Sequence, residues 1–324
     1  MISENLFSKV LLEPALAAGC NQLNIISGYA SPAMANKHIA SLPSGITINL
    51  LVGMVPHDGI GRGGHNGFQA LDAALDTFNC NYVINSPGVH VKSYIWLRDN
   101  TPQIAFTGSG NYSQNAFLDG TVESFAEDNP IDCNKLFNAI SANSLSCRDA
   151  NIETKIKFYE EIYRRRILTS ASEEAIATEE TPQVITENCV NLSLLVKATG
   201  ETHNAGGGLN WGQPSSKGRK RGSPDEAYIG IPAPVLKSGF FPLVTRHFTM
   251  ITDDGQSFDM VVAQMEGKAL ETPRDNSLLG KYIRNRIGVP LGNFVHKQDL
   301  INYGRTDVKI CKIDDETYFM DFSN

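Results

Sequence analysis

The sequence predicts two domains of different class: an α/β layered domain first, then a small β-barrel domain with helical insertions. Three observations predict this. Strand and helix signals alternate over residues 1–167, short β-type runs separated by turns fill residues 190–324, and residues 168–189 between them are acidic, polar and weakly periodic. That middle stretch reads as a linker, with an exposed acidic helix as the competing reading. A length of 324 residues suits two domains, and 41% hydrophobic with 19% charged residues supports real cores and excludes bulk disorder.

In the first half, Leu6 to Ala18 has helical spacing, with Pro14 placed to kink it or end it early. Gln22–Tyr29 reads as a strand, Ser31-Pro32 opens a helix, and Ile46–Met54 is an apolar run of strand length. Pro56–Gly67, with five glycines, reads as a long loop, and Phe68–Phe78 as an amphipathic helix. Strands are expected at Val89–Leu97, Pro102–Thr107 and Thr121–Ala126, and helices at Asp132–Asn143 and Ile152–Ile167. In the second half, strands are expected at Val190–Lys197, Tyr228–Ile231, Phe248–Thr252, Phe258–Gln264, Lys309–Ile313 and Tyr318–Phe322. Only Ala233–Ser238 and Ser277–Ile287 read as helices there.

Charge is distributed unevenly. Residues 1–196 carry 12 Lys+Arg against 20 Asp+Glu, net −8; residues 197–324 carry 16 against 15, net +1. Lys217, Arg219, Lys220 and Arg221 fall within five positions, so a polyanion partner stays open despite the acidic total. No apolar run approaches the ~18 residues of a membrane span. The start, Met1-Ile2-Ser3-Glu4-Asn5, lacks the basic region of a secretory signal. The six cysteines form no CxxC pair, which argues against structural zinc and a disulfide scaffold and suits a reducing cytosol.

The most informative segment of the first half is His90-Val91-Lys92, followed at one hairpin's distance by Gly108-Ser109-Gly110-Asn111. On a strand, His90 and Lys92 at i and i+2 point to the same face. Ser109 and Asn111, in a Gly-rich turn after the next strand, could converge beside them. One imidazole, one cation and two neutral hydrogen-bonding groups suit phosphoryl transfer without a metal. The imidazole attacks phosphorus, and the lysine and amide stabilise charge on the non-bridging oxygens. Alone, an HxK is commonly an amphipathic strand edge, and GSGN an ordinary tight turn.

The HxK…GSxN pattern resembles the HKD motif of the phospholipase D superfamily. The resemblance implies a mixed sheet flanked by helices, and a role for Glu123 in orienting the imidazole. One departure stands out: the usual Asp five residues after the motif lysine is Leu97, and Asp99 is two positions late. The superfamily's complete site needs two histidines, so one motif copy implies a homodimer through the N-terminal domain with the site on its twofold axis. His57-Asp58 could line that site but reads more simply as part of a flexible loop. Gly59, Gly61, Gly63 and Gly64 are not followed by GK[ST], so the chain shows no ATP site. Arg164-Arg165-Arg166 reads as a solvated charged helix face.

In the second half, residues 206–221 combine one of two tryptophans with amides, hydroxyls and four cations on a Gly-rich backbone. Asn210, Trp211, Gln213, Ser215, Lys217, Arg219, Lys220 and Arg221 form an arm suited to a DNA groove, or else a mobile basic loop. A second polar stretch holds Arg274, Asn276, Lys281, Arg284, Asn285 and Arg286. Lys281, Arg284 and Asn285 recur at i, i+3 and i+4 and so share one helix face, as a second arm or an ordinary exposed helix.

Two such arms on a β-rich domain resemble the pseudobarrel DNA-binding fold of plant transcription factors and some restriction enzymes. A phospholipase D-like domain followed by a pseudobarrel is similar, over essentially the whole chain, to the NgoFVII/NgoAVII type of restriction endonuclease. The resemblance implies a cytoplasmic prokaryotic endonuclease that cuts double-stranded DNA at a short, GC-rich site, without a cofactor for the chemical step. It also implies a separate helicase-type ATPase partner that would bring a requirement for ATP and Mg. Two other functions compete: a phospholipase D-type lipid hydrolase, for which no membrane-facing surface is evident, and a non-catalytic DNA-binding or assembly protein, which Leu97 favours slightly and the intact His90, Lys92, Ser109, Asn111 and Glu123 count against.

Overall fold

In the computed structural model the described residues are 1–118, 120–159, 188–214, 222–244, 246–264 and 267–324. The chain divides into two compact units, Met1–Leu168 and Thr169–Asn324. The expected linker lies outside the described residues except at its end, where Cys189 already opens a strand. Arg164, Arg165 and Arg166 also lie outside them.

The first unit opens with α1 (Leu6–Leu11) and α2 (Glu13–Ala17). Pro14 divides the expected single helix, because it stands in the first turn of α2, where its missing N–H costs nothing. There follow β1 (Gln22–Ser27), α3 (Pro32–Ser41) and β2 (Thr47–Val52). The Ser31 side chain caps α3 by accepting from the Met34 N–H.

Residues 55–74 correct the expected loop: they form α4 (Val55–Asp58), β3 (Ile60–Gly61) and α5 (Arg62–Ala74). Their glycines weaken helix propensity but permit close approach. A Cβ on Gly67 would lie 2.8 Å from the Pro32 ring, and Gly59 turns at φ +75° against the Lys157 carbonyl. The expected helix therefore ends at Ala74, and Phe78 begins a strand that periodicity did not show.

The remaining elements are β4 (Phe78–Val83), β5 (Ser93–Arg98), β6 (Thr101–Gly108), α6 (Gln114–Phe117), β7 (Phe125–Asp128), α7 (Pro130–Ser141), β8 (Ser144–Ser146), α8 (Ile152–Lys155) and β9 (Phe158–Tyr159). The helix expected over 152–167 thus stops early, and β9 pairs with β3.

Seven strands form a mixed sheet in the order β7-β6-β5-β1-β2-β4-β8. β1 runs parallel to β2 and antiparallel to β5, so strand direction switches at β1. Both faces are covered. Ile26, Leu51, Ile95, Leu97 and Ala105 pack with Cys133 and Phe137 of α7. Leu23, Ile25, Leu50 and Trp96 pack on the other side with Val10, Met34 and Phe68.

The second unit runs β10 (Cys189–Ser193), a 3-10 turn at Gly208–Asn210, β11 (Ile229–Gly230), α9 (Ala233–Lys237), β12 (His247–Thr252), β13 (Ser257–Ala263), β14 (Ala269–Glu271), α10 (Ser277–Ile287), α11 (Lys297–Tyr303), β15 (Asp307–Lys312) and β16 (Thr317–Asp321). The sheet order is β10-β15-β16-β12-β13-β14-β11, and the end strands β10 and β11 approach each other, so the barrel nearly closes. Its core includes Leu192, Phe248, Met250, Val262, Ile283, Ile310 and Tyr318. α11 and β14 were not expected. Cys189 and Cys311 sit opposite each other on β10 and β15 and form a disulfide, which departs from the reading of unbridged thiols. Their separation of 122 residues left no sequence signal.

Candidate functional site

The candidate site forms at one edge of the mixed sheet. There the C-terminal ends of β1, β2 and β6 meet the N-terminal end of β5, beside the switch in strand direction, where open α/β sheets leave a crevice. His90 and Lys92 lie in the segment just before β5 rather than within a strand, which corrects the expected start at Val89.

Their side chains nonetheless meet. Lys92 Nζ lies 2.9 Å from Nε2 and 3.1 Å from Nδ1 of the His90 imidazole, and donates to the His90 carbonyl at 3.0 Å. His90 is exposed, whereas Lys92 is buried. Burial pushes the Lys92 ammonium below its ordinary pKa, and the Glu123 carboxylate opposes that shift.

The turn after β6 supplies the rest. Ser109 Oγ donates to Glu123 Oε2 and accepts from the Ser124 N–H at 3.1 Å. Thr121 Oγ1 donates to Glu123 Oε1 at 3.0 Å. Asn111 Oδ1 accepts from the Tyr29 N–H at 3.2 Å. The glycines of this turn serve close packing: a Cβ on Gly108 would lie 2.1 Å from the Ser124 carbonyl, and one on Gly110 2.9 Å from the Phe125 ring. The structure therefore brings His90, Lys92, Ser109, Asn111 and Glu123 to one edge. It does not place Glu123 on the imidazole.

Leu97 is core, buried against α7. Asp99 sits in the β5–β6 turn at φ +50°, at the far end of the strand, and accepts from Asn21 Nδ2 at 2.9 Å. A six-residue strand separates it from the site by roughly 20 Å.

Gly28 and Tyr29 also belong to this region and were missed; Asp58, read more simply as part of a flexible loop, lies in α4 and accepts from the Tyr29 hydroxyl. A Cβ on Gly28 would lie 2.8 Å from His90 Cδ2 and 3.4 Å from Asn111 Oδ1. Gly28→Ala should therefore displace the imidazole and cut activity by at least about tenfold while the domain stays folded. Near-normal activity in a folded variant would show that the imidazole tolerates the shift. The sequence offered no signal for Gly28 or Tyr29, because both fell inside the expected strand Gln22–Tyr29, whereas β1 ends at Ser27.

In the second unit the structure sorts the arm candidates. Asn210 is fully buried: Nδ2 donates to the carbonyls of His203 and Val295, both at 2.9 Å, and Oδ1 accepts from the Val295 N–H at 2.8 Å. Gln213 Nε2 donates to Pro224 O at 3.0 Å and Gly292 O at 2.9 Å. Both amides satisfy loop backbone groups rather than facing a groove.

Arg284 is 0% exposed, a correction of its expected place on an exposed face. Its guanidinium pairs with Asp225 at 3.2 Å and donates to the carbonyls of Asn293, Gly280 and Leu209. Arg286 is engaged by Asp253 at 2.7 Å, by Asp254 and by the Tyr303 hydroxyl, so it too is a structural tie. Leu278, on the same helix, is exposed.

Arg274 and Asn285 are exposed, and Lys281 is half-buried, 4.0 Å from Asp275. Asn276 precedes α10, and its buried Oδ1 has no hydrogen-bond partner among the described residues. Trp211 is half-buried, edge-on to Tyr228 at 5.4 Å. Ser215, Lys217, Arg219, Lys220 and Arg221 lie outside the described residues.

Fold and site thus comprise an α/β domain with His90, Lys92, Ser109, Asn111 and Glu123 at one sheet edge and, in the same chain, a nearly closed β-barrel domain. Residues 4–154 match the family model of the NgoFVII restriction endonuclease N-terminal PLD domain, and residues 184–314 that of the NgoFVII C-terminal B3-like DNA-binding domain. The chain belongs to the NgoFVII restriction endonuclease family and is a deoxyribonuclease. A comparison with curated proteins finds no match.

Among solved structures, NucT from Helicobacter pylori is 20% identical with a TM-score of 0.27, over 39% of this chain and 81% of that one. Polyphosphate kinase from Porphyromonas gingivalis is 11% identical with a TM-score of 0.25, over 49% of this chain and 25% of that one. Among the described residues no helix is long and apolar enough to cross a membrane.

Proposed function

We propose that this endonuclease cuts DNA by a two-step, metal-independent displacement in which His90 is the nucleophile. The observation that carries the reading is the seating of the His90 imidazole against the Lys92 ammonium, with Ser109, Asn111 and Glu123 at the same sheet edge. An imidazole nitrogen attacks phosphorus, a P–N bond forms, and the P–O bond to the leaving strand breaks as that oxygen takes a proton. Water then attacks, the P–N bond breaks, and His90 is regenerated. Lys92 and Asn111 hold the non-bridging oxygens.

The proton donor to the leaving oxygen, and the base for the water, is the His90 of a second copy, so the working unit is a homodimer through residues 1–167. The barrel domain selects a short, GC-rich double-stranded site. Arg274, Asn276, Lys281, Asn285 and Trp211 are its described candidates, beside the basic segment 215–221. A helicase-type partner supplies any requirement for ATP and Mg.

Hydrolysis of bis(p-nitrophenyl) phosphate in excess EDTA tests the chemical step without the partner, and DNA against phosphatidylcholine tests the substrate class. Activity in EDTA and on DNA alone is expected. Strict Mg dependence of the model reaction, or cleavage of the lipid, would defeat the reading.

A further inference from the structure

Building on His90 as nucleophile, we infer that Tyr29, anchored by Asp58, is the positioning residue that holds the His90 imidazole in its attacking orientation. The Tyr29 ring stands edge-on to the imidazole, with centroids 5.9 Å apart and planes at 76°. Edge-to-face contact restricts rotation of a flat ring about its bond. Gly28 also comes so close to the imidazole that a Cβ there would lie 2.8 Å from Cδ2. The imidazole is thus flanked by Tyr29 and Gly28, with the Lys92 ammonium in hydrogen-bond range.

Tyr29 is itself held at three points. Its N–H donates to Asn111 Oδ1 at 3.2 Å, its carbonyl accepts from Ser27 Oγ at 2.5 Å, and its hydroxyl donates to Asp58 Oδ2. The other Asp58 oxygen lies 2.9 Å from His57 Nδ1. Ser27 Oγ also accepts from the Tyr112 N–H at 2.9 Å, which ties Tyr29 to the turn that carries Ser109 and Asn111.

No acid occupies the motif position at Leu97, and both Glu123 oxygens accept from Ser109 and Thr121. The acid that steadies the histidine therefore acts at one remove, Asp58 fixing the phenol and the phenol fixing the imidazole.

The test uses the full-length protein and bis(p-nitrophenyl) phosphate, with kcat and KM measured separately. Tyr29→Phe and Asp58→Ala should each lower kcat about fivefold with KM unchanged, because each removes the same O–H···O contact. The double variant should fall no further than the lower single variant. Tyr29→Ala, which also removes the ring, should lose about 100-fold in kcat.

Full kcat in Tyr29→Ala, losses that multiply in the double variant, or an effect confined to KM would each overturn the assignment. Tyr29→Phe keeps the shape of an exposed side chain, so it remains decisive if Tyr29→Ala does not fold. His90→Ala separates the two levels. If it is inactive while Tyr29→Ala is unimpaired, only the role of Tyr29 falls; if it is fully active, the nucleophile reading falls and this inference with it.

Discussion

His90→Ala should abolish cleavage, a loss of several orders of magnitude, while specific DNA binding survives. The geometry explains both halves. The imidazole is exposed at the sheet edge and is the one ring within hydrogen-bond range of Lys92 Nζ among the described residues. Its removal takes away the proposed nucleophile but no part of the barrel. Fluorescence anisotropy on a specific duplex, run beside a cleavage assay, checks the separation. Cleavage at the normal rate by the alanine variant would remove His90 from the chemistry. Loss of binding together with cleavage would mean that the variant has lost more than its nucleophile.

Arg284→Ala should instead destabilise the barrel domain, by about 3–5 kcal/mol, because it leaves a buried charge without its partner. Asp225 is 5% exposed, and the carbonyls of Leu209, Gly280 and Asn293 would lose their donor with the guanidinium. Hydrogen exchange on the full chain should show protection falling across residues 189–324 and unchanged across 1–159. Were Arg284 a DNA contact, the variant would keep its protection and lose only affinity. That outcome would reverse the placement of this residue.

The contrast between these two residues shows what the sequence could convey. His90, Lys92, Ser109 and Asn111 were legible as a group because they flank a single hairpin, and hairpin neighbours are brought together by local geometry. Arg284 was misread because helix spacing reports which residues share a face, not what that face meets. The fact that decides its role is Asp225, 59 residues away.

Asn210 and Gln213 were misread for the same reason: polar residues in a Gly-rich segment look exposed until the loop carbonyls they satisfy are seen. The helices at 55–58 and 62–74 were hidden by glycines whose purpose is contact with Pro32 and Lys157. Tyr29 carries no motif, and only the fold sets it beside His90. By contrast, the alternation of strands and helices, the Ser31-Pro32 helix start and the span of α10 were plain, because each rests on local spacing or capping.

The most direct test of the central claim is to trap the intermediate. A labelled duplex is mixed with the enzyme, quenched within one turnover, and the digested protein is examined by mass spectrometry at alkaline pH, where an N–P bond survives. The account predicts a nucleotide adduct on the peptide that contains His90, stable to alkali, labile to acid and absent from His90→Ala. Cleavage that proceeds with no adduct at any time, or with an adduct on another residue, would contradict it.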